Sequence, residues 1–359
     1  MSKRYDYRGI QQWVKRIFEA YPFSEQSSAA IAQSIVATDL FGIESHGVQR
    51  LAMYDRKIRA GDIRVGAAAE VIRESPVSAV IDGHEGMGQL VAIIKAMELA
   101  IKKAEQSGIG IVSVRHSNHY GMAGYYAKMA SKKKMLGISA TNSNPFLIPT
   151  HAMRPFLGSN PIAFAMPAAP HDFLYDAATT VVSLGKIEIY AKQKKSIPGA
   201  WAVDNKNRIS RDARTLQRNL SHVPKIGGML PVGGQGEDNG GYKGFGNALL
   251  VEILTSILSQ GNLSADLGDG RAKGISHFFA AIDLHLFGDA NKITDTLSQM
   301  LERIRRLPPE PGKKIYIHGD KEADALEERV KNGIPIDLKT LNEMTALSDR
   351  LQVPYQQYL

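Results

Sequence analysis

The sequence predicts an α/β protein: a mixed central sheet with flanking helices, and helical segments at both ends. Three observations lead there. Strand and helix patterns alternate through the middle of the chain. Both ends carry helical periodicity alone. No Gly-x-Gly-x-x-Gly follows a predicted strand, so a doubly wound, Rossmann-type dinucleotide domain is not expected. The 359 residues suit two or three lobes or one large α/β unit. The pattern changes divide them into an N-terminal helical segment (1–73), an α/β region (74–289) and a C-terminal helical segment (290–359).

The first helix follows from Ile10, Trp13, Val14, Ile17 and Phe18, spaced to form one buried stripe. Ser24 is placed to cap a second, running to about Leu40 and stopped by Gly42. Ser45 is placed to cap a third, ending at Gly61, with Leu51, Tyr54 and Ile58 on one side. Val77 to Ile81 then reads as a strand, followed by a turn at Gly83, Gly86 and Gly88. A helix from Gln89 to about Gln106 ends at Gly108. Ile109 to Val114 is β-branched and extended. A polar loop with His116 and His119 precedes a helix near Ala123–Ser131. Further strands are expected at Leu136–Ala140, Pro161–Met166, Phe173–Asp176 and Phe278–Asp283. An apolar helix is expected over Gly246–Leu258, and long loops over 192–242, which are rich in Gly, Pro, Lys and Asn. Helices return at Ile293–Leu307, Lys321–Val330 and Leu338–Leu351.

Composition excludes several function classes. There is no cysteine, so disulfides, iron–sulfur clusters, thiolate zinc sites and thiol nucleophiles are ruled out. The balance of 44 Lys+Arg against 36 Asp+Glu leaves +8, which suits anionic partners. The basic residues form only short clusters, at Lys132–Lys134 and Lys192–Lys195, and lack the interleaved aromatics of a nucleic-acid stacking surface. No apolar run reaches the roughly 18 residues of a membrane span. The polar start, Met1 to Asp6, has no signal-type apolar core. We expect a soluble cytoplasmic protein that binds neither nucleic acid nor membrane.

The Gly-x-Gly pairs at 86/88, 108/110, 234/236, 244/246 and 268/270 all lack the third glycine. Phosphate-loop, nucleophile-elbow and zinc-helix motifs are absent too. Four constellations remain. Ser45-His46-Gly47-Val48-Gln49-Arg50 places an imidazole and a guanidinium four residues apart, with Tyr54 four further on; together they suit a small carboxylate bearing an ionisable oxygen. The bland alternative is a surface helix start. Arg115 to Gly121, with His116 and His119, ends a strand where open-sheet ligands bind. It admits acid–base work by one histidine, ordinary loop hydrogen bonding, or a metal site with His46, although no carboxylate in the loop completes a set. Gly240 to Gly246, with Lys243, opens a helix whose amides could meet phosphate; a flexible helix start is the alternative. Asp176-Ala177-Ala178-Thr179-Thr180 offers small residues beside a carboxylate, or a capped helix start.

Together these segments resemble the malate/L-lactate dehydrogenase family of NAD(P)-dependent oxidoreductases that lack the Rossmann fold. Relatives of that family include the ureidoglycolate and sulfolactate dehydrogenases, the 2,3-diketogulonate reductases and cyclic-imine reductases. The resemblance runs from Asp39 to Arg50, through Ser117 to Tyr126, Thr141 to Ser143, Gly158 to Ala163, the Asp176 segment and Trp201 to Asp204, to the turn Tyr242 to Gly246. It implies that His119 and His46 are the proton carriers and that Arg50, with Ser45 and Tyr54, holds the substrate. It implies cofactor contacts at Ser143, Leu174, Asp176, Ala177, Ala178, Tyr242 and Lys243, and at the turn Gly319-Asp320-Lys321. There the family's usual proline is His318. No metal is implied. The cofactor would be NAD or NADP. The substrate would be a small 2-hydroxy or 2-oxo acid, malate and oxaloacetate first and lactate next, with another 2-oxo acid or a cyclic imine as the alternative within the family. The family resemblance further implies that the two helical ends pack as one lobe and that the chain forms a homodimer. Outside the family, a histidine-metal hydrolase or lyase and a catalytically silent binding protein are the competing classes.

Overall fold

The computed structural model describes residues 3–223, 225–267 and 272–358, so Met1, Ser2 and the Gly268/Gly270 pair lie outside the described residues. The chain begins with a short strand β1 (Lys3–Tyr5) and helices α1 (Tyr7–Ala20), α2 (Glu25–Leu40) and α3 (Leu51–Arg59). Strands β2 (Glu70–Glu74) and β3 (Ser78–Asp82) follow. One continuous helix then comprises α4 (Gly88–Leu90), a π-helical stretch at Val91–Met97 and α5 (Glu98–Ser107). Next come β4 (Ile109–Ser117), α6 (Ala123–Ser131), β5 (Met135–Thr141), β6 (Ile162–Met166), β7 (Phe173–Ala177) and α7 (Leu184–Lys192). The middle closes with β8 (Ala202–Val203), α8 (Ala213–Ser221), β9 (Gly228–Met229), α9 (Gly241–Glu252), a π-helical extension at Ile253–Ile257, α10 (Ser264–Leu267) and β10 (Ile275–Asp283). Helices α11 (Ala290–Arg305), α12 (Asp320–Asn332), strand β11 (Ile334–Ile336) and α13 (Leu338–Leu351) complete it.

Seven strands form the central sheet in the order β2-β3-β4-β10-β5-β6-β7. Only β3 and β4 pair in parallel; the other neighbours are antiparallel. The sheet is mixed, as expected. The α4–α5 helix supplies the crossover that a parallel pair requires. Successive side chains of a strand point to opposite faces. In β10, Phe279 and Ala281 therefore join the core beneath α5 and α6, while Phe278 and Ala280 meet Val251 of α9 on the other face.

The N-terminal stripe lies where it was expected. Ile10, Trp13, Val14, Ile17 and Phe18 are the buried residues of α1. They share a core with Ile334, Ile336, Met344 and Leu347 near the other end of the chain. Pairing of β1 with β11, and a hydrogen bond from Trp13 Nε1 to Ser348 Oγ (3.1 Å), bind the two ends together.

Three expectations need correction. Ser45 does not cap a long helix: Glu44–His46 and Val48–Arg50 are separate 3₁₀ turns before α3. Residues 192–242 are not only loop, because α8 buries Ala213, Leu216 and Leu220 against α7. The apolar helix begins at Gly241, five residues earlier than expected, with Gly240 in the left-handed region before it.

Candidate active site

The site is built around the two 3₁₀ turns between α2 and α3. Asp39, buried at the end of α2, accepts a hydrogen bond from the Val48 amide (2.8 Å) and folds the chain back at Gly47. A Cβ at Gly47 would lie 1.9 Å from Asp39 Oδ1, so no other residue fits there. Arg329 of α12 braces the same turn by donating to the Asp39 carbonyl (2.6 Å) and pairing with Glu44. This packing brings His46 to Arg50 and Tyr54, which α3 itself spaces four residues apart.

His119 arrives from the loop after β4. Its ring stacks on His46 with centroids 5.6 Å apart and planes within 16°. Its Nδ1 is 2.8 Å from the Tyr54 hydroxyl, which accepts from Gln89 Nε2 at 2.7 Å. The Ser45 hydroxyl lies 2.8 Å from His46 Nδ1. Burial removes the water that would solvate an imidazolium, and nearby cations disfavour it further. His46 is thereby pushed down to about 3, by burial first and Arg50 second. His119 is held well below the usual histidine range by burial, by His46 and by Arg50. Both effects favour the neutral imidazole.

A cavity of about 160 Å³ opens beside them, lined by Ser45, His46, Gly121, Ser159, Asp176 and Ala178 among others. It has room for a planar ring, and small side chains form one wall. Asp176 accepts from the Gly124 amide at 2.7 Å, and burial pushes its carboxyl up to about 6. Two residues back on β7, Leu174 lines a second cleft of about 360 Å³ together with Gly319 and Glu322. The Leu174 amide donates to the His318 carbonyl (3.2 Å). Beyond β7, Thr179 bonds Ser159 and Val232, and Val232 packs on Gly244 in the turn of α9. That turn, with Tyr242 and Lys243, borders a third cleft of about 440 Å³. Ser143 Oγ accepts from the Ser159 amide at 3.0 Å. The segment 174–180 thus lines the first two clefts and, through the Thr179–Val232 hydrogen bond, adjoins the wall of the third.

Two expected cofactor residues do not offer free side chains. Asp320 is buried and holds Arg305 (2.7 Å), His171 (3.0 Å) and the Ile317 amide (2.9 Å); its role is to tie α11 to α12. Lys321 lies over the Tyr316 ring at 5.1 Å. Ala177 contributes backbone, paired with Ile162 in the sheet. His116 turns away to Asp82 (3.0 Å), and among the described residues no group of three or more His, Asp or Glu side chains converges as a metal would need. The set of His46, His116 and His119 therefore does not assemble.

The profile of the malate/L-lactate dehydrogenases matches residues 5–345. The chain belongs to the malate/L-lactate dehydrogenase family. The malate dehydrogenase of Pyrococcus abyssi (strain GE5 / Orsay) is 42% identical over 344 residues, covering 95% of this chain and 93% of that one. The L-sulfolactate dehydrogenase of Methanocaldococcus jannaschii is 32% identical over 353 residues, covering 96% of each. Among solved structures, malate dehydrogenase from Entamoeba histolytica superposes with a TM-score of 0.94 at 30% identity, covering 99% of both chains. As a member of the malate/L-lactate dehydrogenase family, the protein is an oxidoreductase related to malate dehydrogenases.

Sequence reasoning missed Asp39, Gln89, Lys57 and Glu188. Lys57 lies one helical turn beyond Tyr54 on α3 and reaches Asn118 Oδ1 (3.1 Å), a spacing the sequence displays. Glu188 sits more than a hundred residues from the arginine it grips, and nothing local marks it.

Proposed function

We propose that the protein interconverts a small 2-hydroxy acid and its 2-oxo acid with a nicotinamide cofactor, malate and oxaloacetate being the leading pair. The observation that carries this reading is the stacked pair His46/His119 beside Arg50. Lactate, sulfolactate, another 2-oxo acid and a cyclic imine are the rival substrates, and NAD and NADP the rival cofactors.

The cofactor, when bound, supplies the hydride acceptor or donor. Asp176, Ala177, Ala178, Ser143, Leu174, Tyr242, Lys243 and the Gly319 turn would hold it, Lys243 by its charge and Gly319 by backbone. Arg50 binds the substrate carboxylate, with Ser45 and Tyr54 shaping the site. A neutral imidazole takes the hydroxyl proton in oxidation; we assign this to His119, with His46 hydrogen-bonding the same oxygen. Such proton transfer contributes roughly 10²–10⁴-fold to rate. Tyr54 and Gln89 hold the His119 ring in place.

We also propose a homodimer. Along α9 and its extension, Leu249, Leu250, Ile253, Ile257 and Leu258 are each 38% exposed or more, on the side away from the sheet. An apolar stripe of this length is costly to leave in water and suits a second copy. A reaction that draws on a dissociable nicotinamide cofactor needs the pool inside the cell, so the same reading places the protein in the cytoplasm. Among the described residues no helix is long and apolar enough to cross a membrane.

The test is a nicotinamide absorbance assay across a panel of 2-oxo acids and cyclic imines with each cofactor. Turnover is expected with at least one 2-oxo acid. Silence toward the whole panel would reject the reading.

A further inference from the structure

Arg50 is not an unoccupied guanidinium. Its Nη2 pairs with Glu188 Oε2 at 2.9 Å, and its Nε donates to the Ser45 carbonyl at 2.5 Å. The pair is largely shielded, with side-chain exposures of 13% and 20%. Glu188 comes from α7, which packs directly on this turn. Three residues earlier on the same helix, a Cβ at Gly185 would lie 2.7 Å from Ser45 Cβ and 2.9 Å from Arg50 Nη2. Residues three apart lie on one helix face. One face of α7 therefore makes room for Arg50 with Gly185 and grips it with Glu188.

A guanidinium has two edges that can bind a carboxylate side by side, one through Nε and Nη2 and one through Nη1 and Nη2. Here both donors of the first edge are engaged, by Ser45 and Glu188. Among the described residues no hydrogen-bond partner engages Nη1, so the second edge is the one to offer an incoming carboxylate. Resting on the proposed role of Arg50 as the carboxylate ligand, we propose that Glu188 is a positioning residue for substrate binding: it fixes the Arg50 guanidinium so that its Nη1/Nη2 edge receives the substrate carboxylate. Without it, a long side chain with several rotamers would have to be ordered anew at each binding event, and a shielded charge would lose its partner.

The test is steady-state kinetics of Glu188→Ala, Glu188→Gln and Gly185→Ala with the preferred 2-oxo acid, alongside cofactor affinity by fluorescence titration and thermal melting. Glu188→Ala raises KM by about tenfold or more, equivalent to about 1.4 kcal/mol. Its kcat stays within about threefold of wild type, and cofactor Kd is unchanged. Glu188→Gln keeps an acceptor oxygen at the same reach and restores most of the KM. Gly185→Ala, which leaves the ion pair's partners in place but crowds Nη2, raises KM as well. An unchanged KM in Glu188→Ala overturns the proposal, and so does a loss shared equally by kcat and KM, or one that Glu188→Gln does not relieve. A wild-type protein inactive toward every 2-oxo acid overturns the functional reading itself. An active wild type with an indifferent Glu188→Ala overturns only the role of Glu188.

Discussion

At the residue scale, burial shifts the proton affinities of the site's ionisable groups. Asp39 shows the consequence most directly. Burial pushes its carboxyl from an ordinary 3.8 up to about 8. The fold therefore favours the neutral acid, and that contribution is complete below about pH 4 and is lost as pH rises through about 8. Asparagine is neutral throughout. We predict that Asp39→Asn gains stability relative to wild type between about pH 5 and 8, by up to ~1.4 kcal/mol per pH unit. The depressed histidines are common to both proteins and cancel in the difference. Urea midpoints of the two proteins at both pH values measure it; a constant gap would contradict the account. His46, Arg50, Tyr54 and His119 were legible as candidates from spacing and chemistry alone. Their assembly was not, because it rests on Asp39, Gln89 and Arg329, whose partners are distant in sequence or carry no motif.

At the element scale, the parts with strong burial patterns were readable and the parts without were not. Helix α1 shows its stripe because Trp13 and its neighbours are fully buried against α13. Truncating that ring removes both packing and the hydrogen bond to Ser348 that joins the chain's ends. Trp13→Ala is expected to cost about 3–5 kcal/mol by chemical denaturation, and a cost below about 1 kcal/mol would mean the two ends do not share one core. Strand β2 escaped notice because all five of its residues, Glu70–Glu74, are exposed at the sheet edge. With neither face buried there is no alternation to read. Helix α8 was hidden by the Gly-, Lys- and Pro-rich residues around it, although Asp212 caps it and its apolar residues fall three and four apart. The helix expected from Ser45 gave way to 3₁₀ turns because the buried Asp39 pulls the Val48 amide out of helical register.

At the scale of the whole molecule, the surplus of positive charge becomes specific. Arg50 is already half-answered by Glu188, and Lys243 stands in the turn of α9 beside the third cleft. The same helix carries the exposed apolar stripe, so the proposed dimer would lie close to the cofactor groove. Leu250→Glu combined with Ile253→Lys is predicted to shift the protein from dimer to monomer in light scattering without unfolding it. A wild-type protein that is monomeric at tens of micromolar would contradict the dimer. The central claim, hydride exchange between a 2-hydroxy acid and nicotinamide with a histidine carrying the proton, is tested most directly by isotope transfer. Malate deuterated at C2 is incubated with oxidised cofactor and the protein, and the products are read by NMR. The account predicts deuterium on C4 of the reduced nicotinamide, at a rate that falls roughly 10²–10⁴-fold in His119→Ala. Deuterium released to solvent, or undiminished transfer in His119→Ala and His46→Ala alike, would contradict it.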